Sequence, residues 1–112
     1  MNRIGNVNIL GVDYEVLDDI EDNNPKLIDN SGLCELFTKK IILDVSDKDN
    51  KDAFDNMEEY YHKVLRHECF HAIFHEVGLR KYSGDEDLVD CLAILYPRIK
   101  QIMEVVDNMK LY

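Results

Sequence analysis

The order of hydrophobic patterns predicts an α+β domain: a small antiparallel or mixed sheet of about four strands from the first half of the chain, then two or three helices from the second. Three observations carry this expectation. Up to about residue 46, apolar residues fall in short alternating or β-branched runs, separated by Gly, Asn and Pro turn formers. From about residue 52 they recur three and four apart, the period of a helix that buries one face. With 112 residues and 46% hydrophobic side chains, the chain can build one core, so residues 1–112 form a single domain.

Taken in order, "VNIL" and "VDYEVL" flank Gly11, and Val12, Tyr14 and Val16 alternate, which predicts a hairpin. "DDIEDNNPKLIDNSG" predicts a loop around Asn23-Asn24-Pro25 and a turn at Asn30-Ser31-Gly32. Two β-prone runs follow, Leu33 to Phe37 and Lys40 to Val45, joined near Thr38-Lys39. A helix is expected from about Asp52 to Val77, with Phe54, Met57, Tyr61, Phe70, Ile73 and Phe74 among its apolar positions and Gly78 as its left-handed stop. "LRKYSGD" reads as a connector. A second helix starts near Asp85, with Leu88, Val89, Leu92, Leu95, Ile99, Ile102 and Val106 as its apolar stripe; Pro97 is expected to kink or interrupt it.

Composition narrows the function classes. A formal charge of −10 repels nucleic-acid phosphates and anionic membranes, so neither is an expected partner. It permits mimicry of DNA toward a basic groove, although a well-solvated surface is the simpler account. No run of residues is long and apolar enough for a membrane span, and "MNRIGNVNIL" has no secretory pattern, so a cytoplasmic protein is expected. Cys34, Cys69 and Cys91 are odd in number and widely spaced, which argues for reduced thiols rather than a disulfide framework or a cysteine-based metal site.

The chemistry concentrates in "HECFHAIFHEVG", residues 67–78. His67 and His71 are four apart on the expected helix, so both imidazoles can converge on one zinc ion. Glu68 is rotated aside, where its carboxylate can serve a zinc-bound water as general base and then the leaving amine as general acid. His75 is eight residues from His67, about 12 Å along a helix, too far for easy coordination; it reads as substrate-facing, as a partner of the site, or as solvated. The remaining ligand is sought in "SGDEDLVDCLA". Glu86 and Asp90 are four apart and share a helix face, so Glu86 could bind zinc while Asp90 orients a ligating histidine. Ser83-Gly84-Asp85-Glu86 also fits a capping box, in which Glu86 would only cap its own helix.

His67-Glu68-Cys69-Phe70-His71 followed by Glu86-Asp87-Leu88-Val89-Asp90 resembles the two-part signature of gluzincin metallopeptidases. The short chain is similar to minimal single-domain members, including small phage or prophage proteins and peptidases of the ImmA/IrrE type. The resemblance implies a zincin-like fold, one zinc ion, hydrolysis of a protein or peptide substrate, and an edge strand before the motif helix that pairs with extended substrate. The matching segment is residues 39–46, for which a core strand is the competing reading. Larger members use a further tyrosine or histidine to stabilise the oxyanion; Tyr82, Tyr96 and His75 are the candidates here. The rival expectation is a zinc-stabilised interaction or regulatory protein, phage-borne and catalytically weak or inactive.

Overall fold

A computed structural model describes residues 1–48 and 56–112 and has the expected α+β layout: a four-stranded mixed sheet followed by helices. Strands β1 (Asn2–Ile9) and β2 (Val12–Asp19) form the predicted hairpin. Leu10 and Gly11 both adopt positive φ, as a two-residue turn matching the strand twist requires. The Asn8 carboxamide holds this turn, accepting from the Gly11 N–H and donating to Asp13. A short 3₁₀ turn at Pro25–Leu27 is capped by Asn24 and drives Leu27, fully buried, under the sheet. Strands β3 (Gly32–Glu35) and β4 (Lys40–Asp44) complete the sheet in the order β1-β2-β4-β3, with β2 and β4 parallel and the other neighbours antiparallel.

The sheet order decides between the two readings of residues 39–46. Residues 40–44 are interior, not an edge, and the reason is in their composition. Ile41, Ile42 and Leu43 are consecutive and all buried, so β4 needs cover on both faces. Ile41 packs with Ile9, Tyr14 and Ala72 on the helix side, and Ile42 with Leu17 and Leu27 on the other. The edge next to the helices is β3.

Helix α1 (Met57–Glu76) begins on an Asn56 cap whose side chain accepts from the Glu59 N–H. The expected earlier start at Asp52 and the apolar position Phe54 lie outside the described residues. The helix ends as predicted at Gly78, with φ +89°. Leu79 N–H donates to the Phe74 carbonyl and Gly78 N–H to that of His75, which satisfies the last carbonyls. The anticipated connector contains one further turn, α2 (Arg80–Ser83).

Helix α3 (Glu86–Asp107) differs from expectation in two ways. Pro97 does not interrupt it. A proline at 97 leaves the Ala93 carbonyl without its main-chain donor, and Arg66 Nε of α1 supplies the bond at 3.0 Å. The predicted apolar stripe is also covered only in its first half, where Leu88, Leu92 and Ile99 are half-buried. Val89 and Ala93 are fully buried against the body, whereas Leu95, Ile102 and Val106 are exposed. Among the described residues, no helix is long and apolar enough to cross a membrane.

Candidate metal centre

Helix periodicity sets the first two groups. His67 and His71 lie one turn apart on the face of α1 that looks toward β3 and the start of α3, and their Nε2 atoms approach to 3.1 Å. Asp85 caps α3 by accepting from the Leu88 N–H, so Glu86 is released from capping and occupies the first turn. Its carboxylate reaches both rings, Oε2 at 2.9 Å from His67 Nε2 and Oε1 at 3.1 Å from His71 Nε2. Of the two readings of Glu86, the structure has the one facing the histidines.

Outer partners fix which nitrogen of each ring carries a proton. His67 Nδ1 lies 3.1 Å from Asp90 Oδ1, an acceptor only. His71 Nδ1 donates to the main-chain carbonyl of Ser83, whose hydroxyl in turn donates to the His71 carbonyl at 2.8 Å. With both Nδ1 protons directed outward, both neutral rings present bare Nε2 lone pairs to the same point as the Glu86 carboxylate. Acceptors that meet without a donor between them repel, unless a proton or a cation sits among them. The Nε2 atoms of His67 and His71 and a Glu86 oxygen lie within 4.8 Å of one another and could hold a metal ion. Bonds near 2.0–2.1 Å around a tetrahedral ion separate its ligand atoms by about 3.3 Å, so the donor set fits with little movement.

Around this point opens a cavity of about 610 Å³, walled by the β3 edge, the α1 face from Tyr60 to His75, and the α2–α3 junction. Glu68 lines it and is 7% exposed. Burial raises its carboxyl above the ordinary carboxylate value, against an opposing pull from His67 and His71. Asp90 moves the other way: the Lys63 ammonium, 3.0 Å from the same Oδ1 that faces His67, holds its carboxyl low and ionised. The strand can lie this close to α1 because residue 32 is glycine. A Cβ there would stand 2.8 Å from Val64 Cγ1 and 3.2 Å from Glu68 Cγ.

The other candidates fall in different places. His75 lines the far end of the cavity but is not among the converging donors, and its Nε2 is 4.0 Å from Glu76. Tyr82 does not line the cavity; its ring packs on Phe74 and under the Lys81 ammonium. Tyr96 borders a separate apolar groove on the outer side of α1, beneath the Arg66 guanidinium. Cys69 borders that groove as well, and packs against the core rather than the donors.

Four further cavity residues lie outside the expected site set. Lys63 is one turn before His67 and Tyr60 two turns before it, so helical spacing alone places both on the ligand face; the Tyr60 hydroxyl donates to Ser31 at 2.7 Å. Ser83 and Gly32 could be found only from the tertiary fold. Comparison with protein-family models, with curated proteins and with solved structures gave no match. The functional reading therefore rests on the site itself.

Proposed function

We propose that the chain is a zinc-dependent peptidase in which His67, His71 and Glu86 hold the ion and Glu68 moves the proton. The observation that supports it most is the convergence of two bare imidazole nitrogens and one carboxylate beside a buried glutamate, at the floor of an open cavity. Zinc bound there supplies Lewis acidity, lowering the pKa of a water to about 7 and polarising the scissile carbonyl.

The chain's own groups account for the rest. Asp90 and the Ser83 carbonyl hold the two rings in the tautomer that leaves Nε2 free. Glu68 receives the proton of the attacking water on a carboxylate oxygen and returns it to the leaving amine; a carboxyl raised by burial is a stronger base than one in water. A peptide can add to the free β3 edge through main-chain hydrogen bonds, which lays it along the cavity beside Glu68.

The test begins with metal analysis of untagged protein, where close to one zinc per chain is expected. Glu68→Gln should keep that zinc and lose cleavage of casein and of a mixed fluorogenic peptide pool. Cleavage that survives Glu68→Gln removes Glu68 from the mechanism, and protein without stoichiometric zinc removes the reading altogether. Zinc without cleavage by the native chain leaves the metal-stabilised interaction protein as the better account.

A further inference from the structure

The cavity differs in charge between its two ends. Strand β3 and helix α1 run in the same direction along it: the Tyr60 hydroxyl meets Ser31, Gly32 stands against Val64 and Glu68, and beyond the strand Lys39 bonds Glu76. A peptide added to the β3 edge therefore follows α1 from Tyr60 toward His75. At the Tyr60 end the wall holds Asp29, and the adjoining hollow that shares it adds Glu21, Asp44 and Asp47. Lys63 offsets none of this, because Asp90 engages its ammonium at 3.0 Å. The His75 end is different. There the turn that closes α1, with the Leu79 N–H on the Phe74 carbonyl, brings Arg80 onto the cavity wall. Arg80 is exposed, and among the described residues no carboxylate lies at ion-pair distance from it. Glu76, 4.0 Å from His75 Nε2, is already held by Lys39 at 2.7 Å and by Tyr14 at 2.8 Å.

We propose that Arg80 receives a carboxylate of the bound peptide, two or three residues from the cleaved bond, so that the substrates are peptides with an acidic group on that side. Chemistry supports the ligand: an uncommitted guanidinium takes a carboxylate through two parallel N–H donors, and the His75 imidazole lines the same end. Distance sets the position. The midpoint of His67 and His71 lies about 9 Å along the helix axis from His75, and an extended peptide advances about 3.4 Å per residue. Asp29 repels an acid at the other end, so the same polarity fixes which way round an acidic peptide lies. The net charge of −10 works against this preference, since on its own it draws basic peptides. An acid preference is therefore a local signature of the wall and not a by-product of the whole surface, whose field salt screens beyond about 8–10 Å. The position relative to the cleaved bond rests on the peptidase reading; the charge of the subsite rests on the cavity alone.

The test measures fluorescence anisotropy of short labelled alanine–serine peptides with Glu68→Gln protein, so that nothing bound is cut. A C-amidated peptide with one aspartate should bind about fivefold tighter than its counterpart with lysine in that place. In the same background Arg80→Glu should reverse the order and Arg80→Lys should keep it; both should keep the native circular dichroism, because Arg80 is exposed. The unsubstituted peptide with a free C-terminus separates the two sources of carboxylate. Tighter binding than its amide, lost in Arg80→Glu, adds the terminal carboxylate, and equal binding assigns the subsite to side chains alone. Lysine peptide bound as tightly as the aspartate one, an acid preference that survives Arg80→Glu, or no binding of any peptide overturns the proposal. With the native chain, cuts mapped by mass spectrometry should fall two or three residues from the aspartate, and cuts elsewhere overturn the position. Acid-selective binding without cleavage keeps the subsite and removes the peptidase reading; cleavage without acid preference does the reverse.

Discussion

Arg66→Ala should destabilise the chain by about 2–4 kcal/mol, and most of that loss should depend on Pro97. In the native chain, Arg66 Nε donates at 3.0 Å to the Ala93 carbonyl, which a proline at 97 cannot serve. A hydrogen bond with a charged donor contributes about 1.5–3 kcal/mol, and its removal leaves a carbonyl unsatisfied beneath α3. The same guanidinium lies 5.8 Å from the Tyr96 ring centre, which adds about 0.5–1 kcal/mol at a partly exposed site. Its pair with Glu59, at 3.2 Å, contributes little because the Glu59 side chain is 60% exposed. In a Pro97→Ala background the main-chain N–H at 97 can take the Ala93 carbonyl, so the same truncation should cost about 1–2 kcal/mol less. Urea unfolding of the four proteins, at one protein concentration and in chelator, gives the coupling energy directly. Costs of Arg66→Ala that agree within about 0.5 kcal/mol in the two backgrounds would falsify the account of how α3 passes its proline. Because α3 carries Glu86, the proposed zinc affinity should weaken along with stability.

Gly32→Ala should cost about 1–3 kcal/mol, since the new methyl meets Val64 Cγ1 at 2.8 Å and the immovable Ile42 carbonyl at 3.2 Å; unchanged stability would show that β3 does not press on α1. Glu76 accepts from Lys39 Nζ at 2.7 Å and from the Tyr14 hydroxyl at 2.8 Å, and the Lys39 hydrogen bond is the chief cause of its lowered pKa. Its contribution is therefore complete above the ordinary value of about 4.5 and disappears as the pH falls through the lowered one. In urea titrations from pH 7 to 3, the stability gap between native chain and Glu76→Gln should close only below about pH 4.5, and a gap independent of pH refutes the pairing. Burial pushes the Cys34 thiol up to about 12 and that of Cys69 to about 11, so both should resist iodoacetamide at pH 8 until urea exposes them. Rapid native labelling of either, mapped by mass spectrometry, contradicts their packing.

The sequence by itself determined what depends on local periodicity and local chemistry. Gly11 placed the hairpin, Gly78 stopped α1, and the alternation of short strands followed by helical spacing gave the α+β order. The four-residue step from His67 to His71 is a property of any helix, so those two rings were bound to share a face. Tertiary structure decided everything that requires knowing which face meets which. "KIILD" is apolar enough for either an edge or an interior strand, and it is interior because Leu27 and Leu17 cover the side that α1 does not. The apolar stripe of α3 reads as core along its whole length, yet only Val89 of it is fully buried, and Leu95, Ile102 and Val106 are exposed. The contact with α1 centres instead on Val89 and the small Ala93, where α3 comes close enough for Glu86 to reach both histidines. Pro97 looked like a break, and only Arg66, distant in sequence, supplies the donor that keeps the helix whole. A local pattern fixes a residue's neighbours along its own element, whereas its partners across elements depend on packing that no single segment encodes.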